Sequence, residues 1–334
     1  MTGISFYLND PLAEERIGQA GRLGVKRGFT SLHIPEEAGE LAVRAKMLLR
    51  LAKENGIDVY ADVSLKTPGH LGVDSLFHLK ELGVTGLRLD DFFDHGFIAG
   101  LAKEFKIAVN SSILFERDIQ LLLNNGLESE QLIGWHNFYP RRETGLSEAF
   151  FRKQNDLYKQ YGIPVFAFVP GAGEKRGPLF EGLPTLEKHR QADPFVAMLE
   201  LYRDGVDDVF VGDPEPGGDL LQKMVDYDRG KVTIHAGQGF KKQGEYCLRP
   251  DASRDVLRFM GTRTDEAVSP VNNSPRLKGS ITIDNDLYGR YRGEMQIALA
   301  DLPADERVNV IGMVEQRDLP VLDHLKPGML IELA

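Results

Sequence analysis

Acidic side chains stand at or near the ends of several short apolar segments. Asp62 lies within DVYADVS, where a buried carboxylate is unfavourable unless it is paired or has a function. Asp90 and Asp91 follow TGLRL, and Glu36 follows FTSLHI. Adjacent residues point in different directions, so one of Asp90 and Asp91 is expected to face a site and the other to cap the next loop. Such a set can present one protonated and one ionised carboxyl group to a substrate.

Hydrogen-bonding side chains occupy corresponding positions after other apolar segments. We interpret them as substrate-binding candidates: Asn9, His33, Asn110, His136, Asn137, Tyr139 and Asp213. The segment WHNFYPRRETG combines donors with flat aromatic faces, which suit a sugar ring. The alternative is that its aromatic residues belong to the core and to a turn.

Basic residues supply candidates for binding an anion. Lys175 and Arg176 lie between glycines in PGAGEKRGPLFEG, which suits phosphate. Arg290, in the polar segment GSITIDNDLYGRYRGEMQI, is a third candidate. The alternatives are a solvated surface loop for the first two and an exposed hairpin tip for Arg290.

The elements that must position these residues repeat regularly. Eight short apolar segments begin at intervals of 22 to 43 residues, and helical patterns lie between them. One such pattern runs from Ala38 to Asn55 and stops at Asn55-Gly56, and another covers Leu76 to Leu82. Strands that are apolar throughout indicate a parallel sheet covered on both faces. The pattern predicts an α/β fold, a (β/α)8 TIM barrel with its site at the carboxyl ends of the strands. The rival is an open doubly wound sheet, which the lack of a GxGxxG segment disfavours.

The pattern changes after about Leu221. Short strand-like segments separated by Gly, Pro, Asn and Asp predict a small antiparallel β domain, and only SRDVLRFM has helical character. We therefore predict a barrel domain over 1–222 and a β domain over 230–334.

Composition excludes several classes of function. Forty basic against fifty acidic residues give a net charge of −10, which disfavours nucleic acid and anionic membranes as partners. No apolar run reaches the roughly 20 residues of a membrane helix. One cysteine and no basic leader favour the cytoplasm. No spacing typical of a metal site, a nucleophile elbow or a phosphate loop is present, so we predict neither a metal nor a cofactor. A homo-oligomer is compatible with the sequence.

Several segments together resemble the 6-phospho-N-acetylmuramidase (MupG) family, whose members join a TIM barrel to a cyclophilin-like β domain. They are GISFYLN, LHIPEE, GLRLDDF, HNFYPRRETGLS, RGPLFEGLPTLEKHR, VFVGD and GSITIDNDLYGRYRGEMQI. The resemblance covers nearly the whole chain. It implies hydrolysis of the β-1,4 bond of N-acetylmuramic acid 6-phosphate–N-acetylglucosamine during cytoplasmic peptidoglycan recycling.

Glycoside hydrolysis uses two carboxyl groups, in either a retaining or an inverting arrangement. We expect Asp62 or Asp90 to act as nucleophile or base and Glu36 as general acid, with the reverse assignment and substrate-assisted catalysis left open. Two other functions compete with this one. A sugar-phosphate aldolase or epimerase commonly uses a Schiff-base lysine or a bound metal; the strand ends show neither, and Lys66 is the nearest lysine candidate. A non-catalytic saccharide-binding protein would bind the disaccharide without cleaving it.

Overall fold

The structure is a computed structural model that describes residues 1–32, 40–89 and 93–334. These residues form two compact units, Met1–Val225 and Asp226–Ala334.

The first unit is a closed barrel of eight parallel strands, in which each strand pairs with the next and β8 pairs with β1. The strands are β1 (Thr2–Ser5), β2 (Arg27–Ser31), β3 (Asp58–Val63), β4 (Val84–Leu89), β5 (Lys106–Val109), β6 (Leu132–Trp135), β7 (Val165–Val169) and β8 (Asp208–Val211). Each begins within two residues of the apolar segment that predicted it. The predicted TIM barrel is confirmed.

Helices lie between the strands. They are α1 (Ala13–Leu23), α2 (Glu40–Glu54), α3 (Thr67–Leu71), α4 (His95–Leu101), α5 (Glu116–Asn124), α6 (Glu148–Gln160), α7 (Pro194–Arg203) and α8 (Leu220–Asp228). In α1 the buried residues Ala13, Ile17 and Ala20 share one face, and the helix ends at Gly24 with φ of 87°. The helix expected over Leu76–Leu82 is a short 3₁₀ helix, Leu76–Lys80. In the described part of the chain, none of the helices has the length and apolar character needed to span a bilayer.

Aromatic side chains fill the barrel interior. The buried cluster consists of Tyr7, Phe29, Tyr60, Ala108, Ile133, Trp135, Phe166, Phe168, Leu183 and Phe210. Two strands make room for these rings with glycine. A Cβ at Gly86 would lie 2.3 Å from the ring of Tyr60, and one at Gly3 would lie 2.4 Å from that of Phe210. Closely packed side chains therefore fill the barrel interior, and polar groups are left to the mouth of the barrel at the carboxyl ends of the strands.

The second unit contains seven strands in two sheets. They are β9 (Lys231–Ile234), β10 (Gly244–Cys247), β11 (Val256–Arg258), β12 (Ser280–Asp284), β13 (Met295–Ala298), β14 (Val308–Met313) and β15 (Leu330–Leu333). The orders are β10-β15-β9 and β11-β13-β12-β14, and the pairs are antiparallel except β9 with β15. The segment SRDVLRFM, predicted to have helical character, contains strand β11, because pairing with β13 overrides its local preference.

One carboxyl group in the second unit is buried without compensation. Asp284, at the end of β12, is 3% exposed, and its Oδ1 finds no hydrogen-bond partner in the described chain. Burial, followed by the charges of Glu294 and Asp305, raises the pKa of Asp284 to about 7. Glu294 itself pairs with Arg258 and Arg263, with Nε–O distances of 2.7 Å to each.

Candidate active site

The acidic side chain predicted on β3 lies inside the barrel. Asp62 follows Tyr60 by two residues, and Arg88 follows Gly86 by two, so both share the inward face of their strands. The two residues are directly paired in register on β3 and β4. Nη1 of Arg88 donates to Oδ1 of Asp62 at 2.8 Å, and the side chains are only 4% and 6% exposed. A buried ion pair therefore occupies the carboxyl ends of these strands.

The Arg88 guanidinium extends this pair to a third strand. Its Nη2 donates to Oδ1 of Asn137, two residues after β6, while its buried Nε has no hydrogen-bond partner in the described chain. Replacing a buried ion pair by apolar residues is commonly neutral or stabilising. Stability alone therefore does not explain why Asp62, Arg88 and Asn137 cluster above an aromatic core. We treat this cluster as the centre of the candidate site.

His136 faces away from that centre. Its neighbour Trp135 points into the barrel, so the His136 ring lies on the outer side, against α6. Nε2 lies 2.8 Å from Oδ1 of Asn155, whose amide group donates to the backbone oxygen of Asp204, so Nε2 carries the proton. Nδ1 then accepts from the Ser112 hydroxyl at 3.3 Å. Both nitrogens are used, and full burial lowers the pKa of His136 to about 4.

These contacts give both ring nitrogens of His136 partners within the protein, and a substrate contact of His136 stays a prediction. The Ser112 hydroxyl that His136 holds accepts the backbone N–H of Asn137 at 3.1 Å. The hydroxyl of Thr185 donates to the Asn137 carbonyl at 2.9 Å, and the next loop holds Tyr139 through the Pro184 carbonyl. Asn137 and Tyr139 are both half-buried, and burial raises the pKa of Tyr139. The Tyr139 hydroxyl is thus kept neutral, as a hydrogen-bond donor.

Asp213 also has a supporting place. Its fully buried carboxylate accepts backbone N–H groups from Gly171 at 2.9 Å, Arg176 at 3.0 Å and Leu183 at 3.3 Å. These three bonds fix the loop after β7, and a substrate contact of Asp213 stays a prediction. The sequence does not reveal these bonds, because the donors are backbone groups of residues far away along the chain.

Arg176 presents an available positive charge. Its guanidinium carbon lies 3.8 Å from the ring centroid of Tyr7 and 5.8 Å from that of Phe138. Among the residues described, its guanidinium has no hydrogen bond and no ion pair. The Tyr7 hydroxyl donates to the Gly212 carbonyl at 2.5 Å, and burial raises the pKa of Tyr7 to about 12. Arg176 therefore rests on a neutral aromatic surface with its donors free for an anion.

Lys175 lines a cavity of about 360 Å³, whose other lining residues include Arg142, Phe180 and Arg190. Its Nζ donates to the Gly171 carbonyl and lies 3.9 Å from Oδ2 of the buried Asp213. The ammonium group has three donors, so this arrangement leaves donors for a ligand.

Arg190 clamps the loops around this cavity. Nε and Nη2 bind the two carboxylate oxygens of Glu187 at 2.7 Å, and the remaining donors reach the carbonyls of Arg141, Glu181 and Gly182. Glu187 also accepts two backbone N–H groups from the loop after β6. The bonds from Arg190 are the main cause that lowers the pKa of Glu187 to about 2. The clamp thus holds the loops after β6 and β7 together.

Three further predicted residues have different surroundings. Asn110 is buried after β5, and its Oδ1 accepts the Ser112 N–H at 3.0 Å. Asn9 is exposed. Arg290 belongs to the second unit, where it is exposed and donates to the Tyr291 hydroxyl at 2.9 Å. Of these three residues, Asn110 has the surroundings most similar to those of Asn137, because both follow the end of a barrel strand.

Four predicted residues lie outside the described residues, namely His33, Glu36, Asp90 and Asp91. Lys66, the lysine of the aldolase alternative, is exposed in the turn before α3, outside the aromatic interior. Its position gives that alternative no support. No three His, Cys, Asp or Glu side chains within the described ranges come together as a metal site would require.

Two family patterns together cover the chain. The one described as 6-phospho-N-acetylmuramidase, N-terminal, matches residues 2–226, and the C-terminal one matches residues 227–334. The chain belongs to the MupG family. The resemblance seen in the sequence is confirmed.

Two solved structures similar to this MupG-family chain are of proteins described without an assigned activity. A conserved Enterococcus faecalis protein of unknown function is 35% identical, with a TM-score of 0.84, over 100% of this chain and 96% of that one. An uncharacterised B. cereus protein is 27% identical, with a TM-score of 0.77, over 100% of this chain and 99% of that one. No curated protein matches the chain.

The structure adds Arg88 and the Glu187–Arg190 clamp to the candidates in this MupG-family chain. A signal for Arg88 existed, because it is the one charged residue in the apolar run TGLRL and its two-residue spacing from Gly86 puts it on the inward face. Nothing comparable marked the clamp. Glu187 and Arg190 stand three residues apart, a spacing that is common on any helix surface.

Proposed function

We propose that the chain is a glycoside hydrolase that cleaves the β-1,4 bond of N-acetylmuramic acid 6-phosphate–N-acetylglucosamine. Family membership supports this substrate, since both family patterns carry the name 6-phospho-N-acetylmuramidase. The observation that carries the proposal is the buried Asp62–Arg88 pair, which puts a carboxylate at the mouth of a barrel whose interior is apolar and largely aromatic.

The ion pair assigns a charge state to Asp62. A guanidinium remains protonated in proteins, and at 2.8 Å it stabilises the carboxylate form of its partner. Asp62 is therefore suited to be the nucleophile or the base, or to stabilise positive charge at the reacting carbon, and not to be the proton donor. We assign proton donation to Glu36 and keep Asp90 and Asp91 as further catalytic candidates.

The reaction breaks the bond between C1 of the muramic acid and O4 of N-acetylglucosamine. The general acid protonates O4 as N-acetylglucosamine leaves. Water supplies the oxygen that bonds to C1 and gives up a proton, to Asp62 in an inverting reaction or to the deprotonated general acid in a retaining one. Positive charge develops at C1, and the ionised Asp62 either stabilises that charge electrostatically or bonds to C1 directly. Asn110, Asn137 and Tyr139 are proposed to bind sugar hydroxyl or acetamide groups, because all three stand at or just beyond strand ends.

The substrate carries two anions, a phosphate and a lactyl carboxylate. We propose that Lys175 and Arg176 bind these groups, since guanidinium and ammonium groups form charge-assisted hydrogen bonds with both. A disaccharide phosphorylated during uptake would be present in the cytoplasm, which is where we place the reaction, as a step of peptidoglycan recycling.

The test is NMR of the purified chain with the disaccharide phosphate. We expect free N-acetylglucosamine and N-acetylmuramic acid 6-phosphate, and the anomer formed first distinguishes one displacement from two. The unphosphorylated disaccharide should react at least tenfold more slowly. Tight binding by calorimetry with no product would instead favour the saccharide-binding alternative. A borohydride-trapped adduct would support the aldolase.

A further inference from the structure

Lys175 and Arg176 are neighbours in the chain, yet their side chains serve different places. Arg176 lies over the rings of Tyr7 and Phe138, whereas Lys175 lines the 360 Å³ cavity. One loop therefore carries two cations that diverge from adjacent backbone positions.

The divergence is held by the buried Asp213. Its Oδ1 accepts the backbone N–H of Arg176, and its Oδ2 lies 3.9 Å from Nζ of Lys175. Its bonds to Gly171 and Leu183 fix the loop on both sides of this pair. One buried carboxylate therefore fixes the backbone from which both cations extend.

The two positions differ in the anion that they suit. Arg176 offers a planar fork lying on aromatic surface, and a planar carboxylate matches a guanidinium in two parallel hydrogen bonds. Lys175 offers a compact charge with rotatable donors inside a cavity that Arg142 and Arg190 also line, and three cations suit the higher charge of a phosphate.

Each of the other two cations that line the cavity also has a carboxylate partner. Arg142 is paired with Glu181, and Arg190 is paired with Glu187. The buried partner near Lys175 already accepts three backbone N–H groups. Among the described residues, the donors left in this cavity for an incoming anion therefore belong to Lys175 and to the terminal nitrogens of Arg142.

We propose that the two cations divide the two anions of one muramic acid ring, with Arg176 binding the lactyl carboxylate and Lys175 the 6-phosphate. This assignment rests on the proposed function for its substrate. The loop after β7 then selects sugars that carry both the phosphate and the lactyl group.

The test is calorimetric titration of the full chain with three monosaccharides. These are N-acetylmuramic acid 6-phosphate, which has both anions, N-acetylmuramic acid, which lacks the phosphate, and N-acetylglucosamine 6-phosphate, which lacks the lactyl group. Lys175→Met should weaken binding of the two phosphorylated sugars about 10- to 100-fold and change binding of N-acetylmuramic acid less than twofold. Arg176→Met should weaken binding of the two lactyl sugars by a similar factor and change binding of N-acetylglucosamine 6-phosphate less than twofold.

Lys153→Met and Arg50→Met are the matched controls, because both residues are exposed on outer helices. They should bind all three sugars as the unchanged protein does, and thermal unfolding shows whether each variant is folded. A variant that unfolds is replaced by Lys175→Gln or Arg176→Gln.

A reversed pattern, an equal loss for all three sugars, or no binding of any of them by the unchanged protein would overturn the assignment. Failure of the proposed function has a different signature, which is the predicted pattern of binding without hydrolysis of the disaccharide phosphate.

Discussion

Replacing Asp62 by Asn separates the charge of this side chain from its shape. The amide oxygen can still accept the hydrogen bond that Arg88 now donates at 2.8 Å, but the negative charge is lost. The two side chains are 4% and 6% exposed, so water cannot replace that charge. Asp62→Asn should therefore affect both turnover and stability.

The size of both effects follows from this burial. Leaving a buried guanidinium without its counter-charge destabilises a protein by about 3–5 kcal/mol. For a unit of this size, that corresponds to a fall in Tm of roughly 6–20 °C. Loss of a carboxylate that stabilises or attacks C1 should reduce kcat by about 10³-fold or more, equivalent to about 4 kcal/mol of the activation barrier.

The assay is release of N-acetylglucosamine from the disaccharide phosphate, measured well below the Tm of each variant. The matched control is Asp58→Asn, because Asp58 stands at the opposite end of the same strand, is 52% exposed and pairs with Arg27. The double variant Asp62→Asn, Arg88→Met removes the unpaired charge, so it should recover stability and not activity.

Two results would refute the reasoning. Turnover by Asp62→Asn within about tenfold of the unchanged protein would exclude Asp62 from the catalytic step. Recovery of activity together with stability in the double variant would show that the single substitution acts only through unfolding.

Three other substitutions test the fold around the site and in the second unit. The pKa of His136 is about 4 in the folded protein and 6.5 in the unfolded chain. Stability that is present above pH 6.5 should therefore fall by up to about 3 kcal/mol as pH decreases towards 4. His136→Gln should flatten the dependence of unfolding free energy on pH in that range. The stability contributed by Asp284 changes with pH in the opposite direction. Because folding raises the pKa of Asp284 to about 7, stability that is present below pH 3.8 is lost as pH rises to 7. Asp284→Asn should remove that loss in thermal unfolding of the second unit. Gly86→Ala places a Cβ against Tyr60 and should lower the free energy of unfolding, measured with denaturant, by about 1–3 kcal/mol. Gly69→Ala is the control and should not destabilise the protein, because nothing lies within 4 Å of a Cβ there. Equal effects of the two substitutions would contradict the packing argument.

The barrel could be predicted from the sequence because its signal is local. Each buried strand is a short apolar run, and each run recurs after a helical pattern, so the spacing alone indicates eight units. In the second unit, local pattern was less reliable. The three-residue strand β11 takes its conformation from pairing with β13, which no local periodicity encodes.

The candidate site was harder to predict because it depends on side-chain direction and register. The alternation on β6 already implies that His136 and Trp135 face opposite ways, but only the packing of Trp135 inside the barrel shows which of them faces the mouth. The pairing of Asp62 with Arg88 requires the register of β3 against β4, which the two segments do not contain separately. Asp213 resembles a substrate ligand in sequence, because the backbone N–H groups that satisfy it leave no mark on residue type.

The supports of the site also bear on how its pH dependence should be read. Glu187, which holds the loops after β6 and β7 through Arg190, has its pKa lowered to about 2. Its contribution to stability is therefore fully present above pH 4.5 and is lost only as pH falls through about 2. His136, the other titrating support, changes charge near pH 4. In protein that thermal unfolding shows to be folded, a decline in kcat that begins well above pH 5 therefore does not come from either support. It reports another titrating group, either a catalytic carboxyl group or the substrate phosphate, whose second pKa is about 6.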